Sequence, residues 1–255
     1  MVVLGGNSNA DAVVVHAVNS TMGDKTATVE ISGTESADGS SFAMSGSGAV
    51  DFSQSAAQLG LSLKVAGQQI QAEVIYVGGV IYESVPGIAQ VEQGKSWVSI
   101  NSGSTDAFQG STTGALNAGG NPMAMLHLLA EKGNNVSSLG PSSVDGARVQ
   151  GYSVDITGAQ IQNDLQDSNF PSWARQAISN FNFGNGIQFT VFIDGHGLLR
   201  RETVSMDMSI DSNTFQVRET ADFSGYGTAV AVTAPPSTDV VSLQQFLQDA
   251  QASEN

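Results

Sequence analysis

Apolar and polar residues alternate with period two along at least six stretches of this chain. Leu59, Leu61, Leu63 and Val65 interleave with Gly60, Ser62, Lys64 and Ala66. Phe42, Met44, Val50 and Phe52 keep one parity, with Gly46 and Gly48 between them, while Ala43, Ser45, Ser47, Ala49 and Asp51 hold the other. Ile70, Ala72, Val74 and Tyr76 oppose Gln69, Gln71 and Glu73. Ile187, Phe189, Val191 and Ile193 oppose Gln188, Thr190 and Asp194, with Phe192 the exception. Val204, Met206, Met208 and Ile210 oppose Thr203, Ser205, Asp207 and Ser209. Successive side chains of a strand point to opposite faces, so the pattern predicts a large antiparallel sheet with one apolar and one wet face. Such a sheet must cover its apolar face, with protein alone or with protein and a bound apolar molecule.

The predicted strands run over 26–33, 41–52, 58–66, 68–77, 80–85, 95–100, 136–144 and 147–156, followed by a meander over 186–194, 198–210 and 215–223. Residues 1–10 read as a tether and 10–20 as a short helix. Residues 101–121 lack periodicity and are rich in Gly, Ser and Thr, which predicts a long flexible loop, either a lid or simply disordered. Pro122 opens a helix to about Lys132, ended by Gly133. Met123, Ala124, Met125, Leu126, Leu128 and Leu129 make it apolar on nearly all sides, so it must be buried on more than one face. Short helices follow over 157–166 and 171–181. A final helix is expected after Pro235-Pro236, capped by Ser237 or Thr238, with Val240, Leu243, Phe246 and Leu247 on one side. No composition break divides the chain, so 11–255 reads as a single α+β domain.

With 255 residues the chain can bury a core without staples, and it has no cysteine, which excludes disulfides and thiolate metal sites. Acidic residues outnumber basic ones 24 to 9, for a net charge of −15. That field repels phosphate backbones, so nucleic acid is not an expected partner. No stretch reaches the roughly 20 apolar residues of a membrane span. The start, Met1-Val2-Val3-Leu4-Gly5-Gly6-Asn7-Ser8, echoes a lipoprotein signal of the form Leu-Gly-Gly-Cys-Ser, with Asn7 at the lipidation position. On that reading the preceding signal regions and the anchor are absent, and the chain as given is soluble.

Catalytic signatures are missing. His16 sits in a leading helix, His127 in the apolar helix and His196 in a hairpin turn, and no Gly-x-Ser-x-Gly elbow accompanies them. The buried position of His127 demands a partner. No histidine pair has metal-ligand spacing, and the acidic stretch from Asp207 to Asp211 lacks the glycine and later glutamate of a calcium loop. Gly46-x-Gly48 lies inside a strand and is no phosphate loop. Glu73 and Glu83 could oppose each other across a hairpin, but both read as polar-face residues and hence as solvated. The expectation is therefore a protein that is no enzyme and has no cofactor. Five of the seven methionines, Met44, Met123, Met125, Met206 and Met208, fall on interior positions, where thioethers suit irregular apolar cavities as well as ordinary cores.

An ordered set of segments resembles the mycobacterial and actinobacterial LppX/LprAFG lipoproteins. These are Gly48-Ala49-Val50-Asp51-Phe52, the stretch QAEVIYVGGVIYESVPG over 71–87, Gly94-Lys95-Ser96-Trp97-Val98, Leu139-Gly140, Val144-Asp145-Gly146, Gly151-Tyr152, and Phe223-Ser224-Gly225-Tyr226-Gly227 running on through Val230 and Val232 to Thr233-Ala234-Pro235-Pro236. The resemblance spans Val13 to Val240. It implies a curved antiparallel half-barrel, also found in the LolA/LolB carriers, with helices over its concave face around an apolar cavity. It further implies an exported monomer, anchored natively through an N-terminal lipid to the outer face of the cytoplasmic membrane, that binds acylated lipid or glycolipid. Asn7 cannot be acylated, which departs from the family. The candidate cavity residues are Phe42, Met44, Leu59, Leu61, Leu63, Val74, Tyr76, Met123, Met125, Leu126, Leu129, Phe189, Val191, Met206 and Met208. The alternative is a scaffolding envelope protein with a filled core and no ligand.

Overall fold

Alternation along the chain becomes pairing in the order the strands are made. The computed structural model describes residues 7–37, 40–65, 67–101, 122–131, 133–179, 181–210 and 213–253. β1 (Thr26–Ala37), β2 (Ser40–Asp51), β3 (Ala56–Val65), β4 (Gln68–Val77), β5 (Val80–Ser84) and β6 (Trp97–Asn101) each pair antiparallel with the next. A second meander, β7 (Asn135–Val144), β8 (Ala147–Ile156), β9 (Ile187–Asp194), β10 (Leu199–Ile210) and β11 (Asn213–Ser224), starts at the far edge and works back. The two halves join where β11 lies antiparallel to β1, from Thr28 opposite Ser224 to Ala37 opposite Phe215.

A twelfth strand, β12 (Val240–Ser242), lies parallel to β6 and makes the sheet mixed rather than purely antiparallel. Val240 therefore belongs to a strand, not to the terminal helix its spacing suggested; residues 237–239 form a single 3₁₀ turn. The backbone explains the difference. Ser96 N–H donates to the carbonyl of Asp239 at 2.9 Å, and Lys95 Nζ donates to that of Thr238 at 2.8 Å, so the segment is held against β6 before a helix can start. The 12-stranded sheet stays open, with β7 and β12 as its edges. On β7 a register shift between Ser138 and Gly140 and the missing N–H of Pro141 interrupt the outer edge.

Six α-helices are described. α1 (Asn7–Gly23) extends the expected helix at both ends and takes in residues 7–10, which are helical rather than a tether. α2 (Ile88–Val91) is one turn that the sequence pattern does not announce. α3 (Pro122–Ala130), α4 (Gly158–Asp164) and α5 (Ser172–Ile178) fall where periodicity placed them, and α6 (Leu243–Ser253) closes the described chain. α4 starts on a capping box: Gln160 N–H donates to Thr157 Oγ1 at 3.2 Å, and Thr157 N–H donates to Gln160 Oε1 at 3.0 Å. Beyond α3, the buried Asn134 amide donates to the carbonyls of Leu128 and Glu131, satisfying groups that a helix end leaves orphaned.

The core lies between one sheet face and the helices. Val14 of α1, Leu126 of α3, Ile161 of α4 and Ala174 of α5 join Val29, Leu59, Phe189 and Val204 in one buried apolar cluster. On the opposite face Val232, carried there by the chain after β11, covers Ala56 and Ile75 beside Tyr82 and Trp97. No helix among the described residues is long and apolar enough to cross a membrane.

Candidate functional site

The expected cavity residues come together. Met44, Leu59, Leu61, Leu63, Val74, Tyr76, Met123, Met125, Leu126, Leu129, Phe189, Val191, Met206 and Met208 are all buried within the single cluster, and Phe42 packs half-buried at its margin. The apolar helix meets its expectation too: Met123, Ala124, Met125, Leu126, Leu128 and Leu129 of α3 are all buried, on every side of the helix. The 102–121 part of the expected lid loop lies outside the described residues.

Tyr76 reaches further than the rest. It also walls a pocket of about 350 Å³ that opens between the β4–β5 hairpin and α5. Val77, Val80 and Ile81 contribute from the hairpin and Trp173 and Gln176 from the helix, so the opening lies at the seam between sheet and helices. The hairpin turns at Gly78 and Gly79, both at positive φ, which keeps the rim free of side chains there. Trp173 is held by His127, whose ring meets it edge-on, and His127 also faces Phe170 at 6.4 Å between ring centroids. Burial holds the His127 imidazole below its ordinary value of 6.5, so it is a neutral aromatic neighbour here.

The interior carries acids that the sequence reading missed. Glu35 on β1, Glu219 on β11 and Glu202 on β10 are 1%, 5% and 4% exposed. They lie on the inner face along one diagonal. Glu35 pairs with Val217, Glu219 with Gly33 and Val204, and Glu202 with Ala221, so each step moves one strand across and two residues along. Both carboxyl oxygens of Glu35, and Oε2 of Glu202 and of Glu219, have no hydrogen-bond partner among the protein groups of the described residues. Burial pushes Glu35 and Glu202 up to about 8, and it raises Glu219 well above the usual range with help from the two neighbouring carboxyls. The signal was present in the parity: Glu35 continues Val29, Ile31, Gly33, and Glu202 precedes Val204, Met206, Met208.

Glu83 is a correction of the same kind. It is buried on the inner face opposite Val74, whereas Glu73 pairs with Ser84 and accepts from Gln58 Nε2 at 2.6 Å on the other face. The two glutamates do not face each other, and Glu83 is not solvated. Burial raises the Tyr76 phenol, and Glu83, Glu219 and Glu35 raise it further. In a flat sheet β4 and β11 would stand about 19 Å apart, four spacings of roughly 4.8 Å. The sheet curls instead, its inner face concave, and one buried apolar cluster takes in side chains of both strands.

The histidine of α1 has a hydroxyl neighbour. His16 Nδ1 lies 3.4 Å from Ser20 Oγ on the exposed side of α1, with no carboxylate orienting the ring among the described hydrogen bonds. No group of three His, Cys, Asp or Glu side chains among the described residues is arranged to hold a metal ion.

Neither a protein-family model nor a curated protein matches this chain. Its fold is similar to that of mycobacterial lipoproteins. LppX from Mycobacterium tuberculosis is 16% identical over 88% of this chain and 98% of its own length, with a TM-score of 0.49. LprF from Mycobacterium bovis is 15% identical over 91% of this chain and 100% of its own, with a TM-score of 0.47. A putative outer membrane lipoprotein-sorting protein domain from Vibrio parahaemolyticus is 9% identical over 95% and 97%, with a TM-score of 0.33.

Proposed function

We propose that this protein is a non-enzymatic carrier of acylated lipid or glycolipid in the cell envelope, holding aliphatic chains between the concave sheet face and its helical cover. The observation that carries this reading is the pocket walled by Tyr76 from the sheet and Trp173 from α5, which opens at the seam of the two layers. A guest entering there meets the apolar cluster beyond Tyr76, and each methylene it buries contributes about 0.8 kcal/mol. The resemblance of segments from Val13 to Val240 to envelope lipoproteins supports an exported location. Anchoring through position 7 would need a cysteine where this chain has asparagine.

A second reading, a scaffold with a filled core, is favoured by one observation: Leu126, Leu128 and Leu129 are fully buried by the protein's own side chains. The two are separated by stripping the protein with organic solvent, refolding it and incubating it with diacylglycerol or a diacyl glycolipid. Native mass spectrometry then counts bound lipid. One lipid per chain, displaced by Tyr76→Trp, supports the carrier. A protein that takes up neither lipid is the scaffold.

A further inference from the structure

Unpartnered acids in an apolar interior are the least expected feature of this fold. Buried carboxyl oxygens in folded proteins are almost always hydrogen-bonded, because dehydration is costly unless a partner replaces water. Here neither oxygen of Glu35 has a partner among the described residues, and Glu219 and Glu202 extend the same line at equal diagonal steps on the concave face. Tyr76, which walls the pocket between the β4–β5 hairpin and α5, belongs to the same buried apolar cluster as Ile31 of β1, Val217 of β11 and Val204 of β10, the strands that carry these acids.

We propose that Glu35, Glu219 and Glu202 form an internal recognition line for an aliphatic ligand that carries hydroxyl groups part-way along its length. This rests on the carrier reading above and places a polar contact within the apolar interior rather than at its mouth. Spacing selects the chemistry. Diagonal neighbours in a sheet stand roughly 7–8 Å apart, too far for three carboxyls to close on one small cation without rearrangement, and among the described residues no such metal grouping exists. Hydroxyls distributed along a chain have no need of convergence. Each can donate to a carboxyl oxygen and accept from a protonated carboxyl, and burial holds these acids protonated near neutral pH. A plain alkyl chain offers these carboxyls no hydrogen-bond partner. A site built to hydrogen-bond a hydroxyl discriminates strongly against the analogue that lacks it.

The test compares methyl 12-hydroxystearate with methyl stearate on solvent-stripped protein, by equilibrium partition and mass spectrometry. The wild-type protein should retain the hydroxylated ester about tenfold more tightly, the discrimination expected of one net hydrogen bond. Glu219→Leu should abolish that preference, and Glu219→Gln should keep most of it. The infrared carbonyl band of the protonated glutamates in the wild-type protein should shift with the hydroxylated ester and stay put with methyl stearate; this reading does not depend on any variant folding. Equal retention of both esters and an unmoved carbonyl band would overturn the recognition line while leaving the carrier reading intact. Binding of neither ester would overturn both.

Discussion

The imidazole of His127 meets the indole of Trp173 edge-on, with ring centroids 5.4 Å apart and ring planes at 73°. The contact joins α3, buried on all sides, to α5, whose outer surface forms one wall of the pocket. It also answers the requirement that a polar ring on a buried helix find a neighbour. Because burial lowers the imidazole below 6.5, the unfolded chain takes up this proton before the folded one does, so His127 contributes stability above that value that is lost as pH falls. In a Trp97→Phe background, which leaves Trp173 as the sole tryptophan, indole emission should change along a titration with its midpoint below 6.5. A midpoint at or above 6.5 would contradict the buried pairing.

The buried glutamates act in the opposite sense. Glu35 and Glu202 sit at about 8 when folded, against 4.5 for an ordinary glutamate. Between those values the folded protein keeps protons that the unfolded chain has released, so stability falls as pH rises from about 4.5 to 8 and then levels off. Glu35→Gln/Glu202→Gln should flatten this slope and melt above the wild-type protein at pH 8. Thermal unfolding at pH 5 and pH 8 checks it; identical slopes would show these carboxyls to be solvated.

Glycines that look alike along the strands should respond differently to substitution. A Cβ at Gly48 would overlap the carbonyl oxygen of Gln58 on β3, whereas at Gly60 the nearest atom is the Ser47 carbonyl oxygen at 3.9 Å. Gly48→Ala should therefore destabilise by roughly 1–3 kcal/mol as an overpacked site, and Gly60→Ala should change stability by less than about 0.5 kcal/mol. Denaturant unfolding of the two variants distinguishes them.

α3 offers the most direct discrimination between carrier and scaffold. Met125→Trp or Leu128→Trp in a filled core should cost roughly 1–3 kcal/mol by overpacking. In a protein whose helix and sheet part to admit a chain, the indole occupies the guest's place, blocks uptake and costs little. Lipid uptake and thermal unfolding measured on both variants give the answer, and destabilisation in a parent that holds no lipid would sink the carrier reading.

Strands were legible wherever one face is wet. β4 runs over 68–77 and β8 over 147–156, the same bounds that alternation predicts, and the buried parity of β3 and β10 follows from Leu59 and Met206. β5 was harder because the Val232 segment covers its outer face, so Ile81 and Tyr82 are apolar on both parities and Glu83 was assigned to the wrong side. β12 is too short to alternate, and the spacing of Val240, Leu243, Phe246 and Leu247 mimics a helix until the contacts with Lys95 and Ser96 are known. The acid line was hidden for a different reason. Hydrophobic parity treats a glutamate on the apolar side as noise, and the diagonal emerges only once β1 and β11, distant in sequence, are set side by side.

An unclosed sheet has a freedom that a barrel lacks. Strand number and stagger fix the bore of a closed cylinder, whereas here the two meanders are hinged along a single seam, β1 against β11, and their far margins never meet. Such margins ordinarily invite another chain to add a strand. One of them is broken by Pro141 and the slip beside Gly140, and the other ends in the three residues of β12. Nothing in the strand count therefore sets the girth of this shell, and each of its margins offers only a short or interrupted run for another strand to pair with.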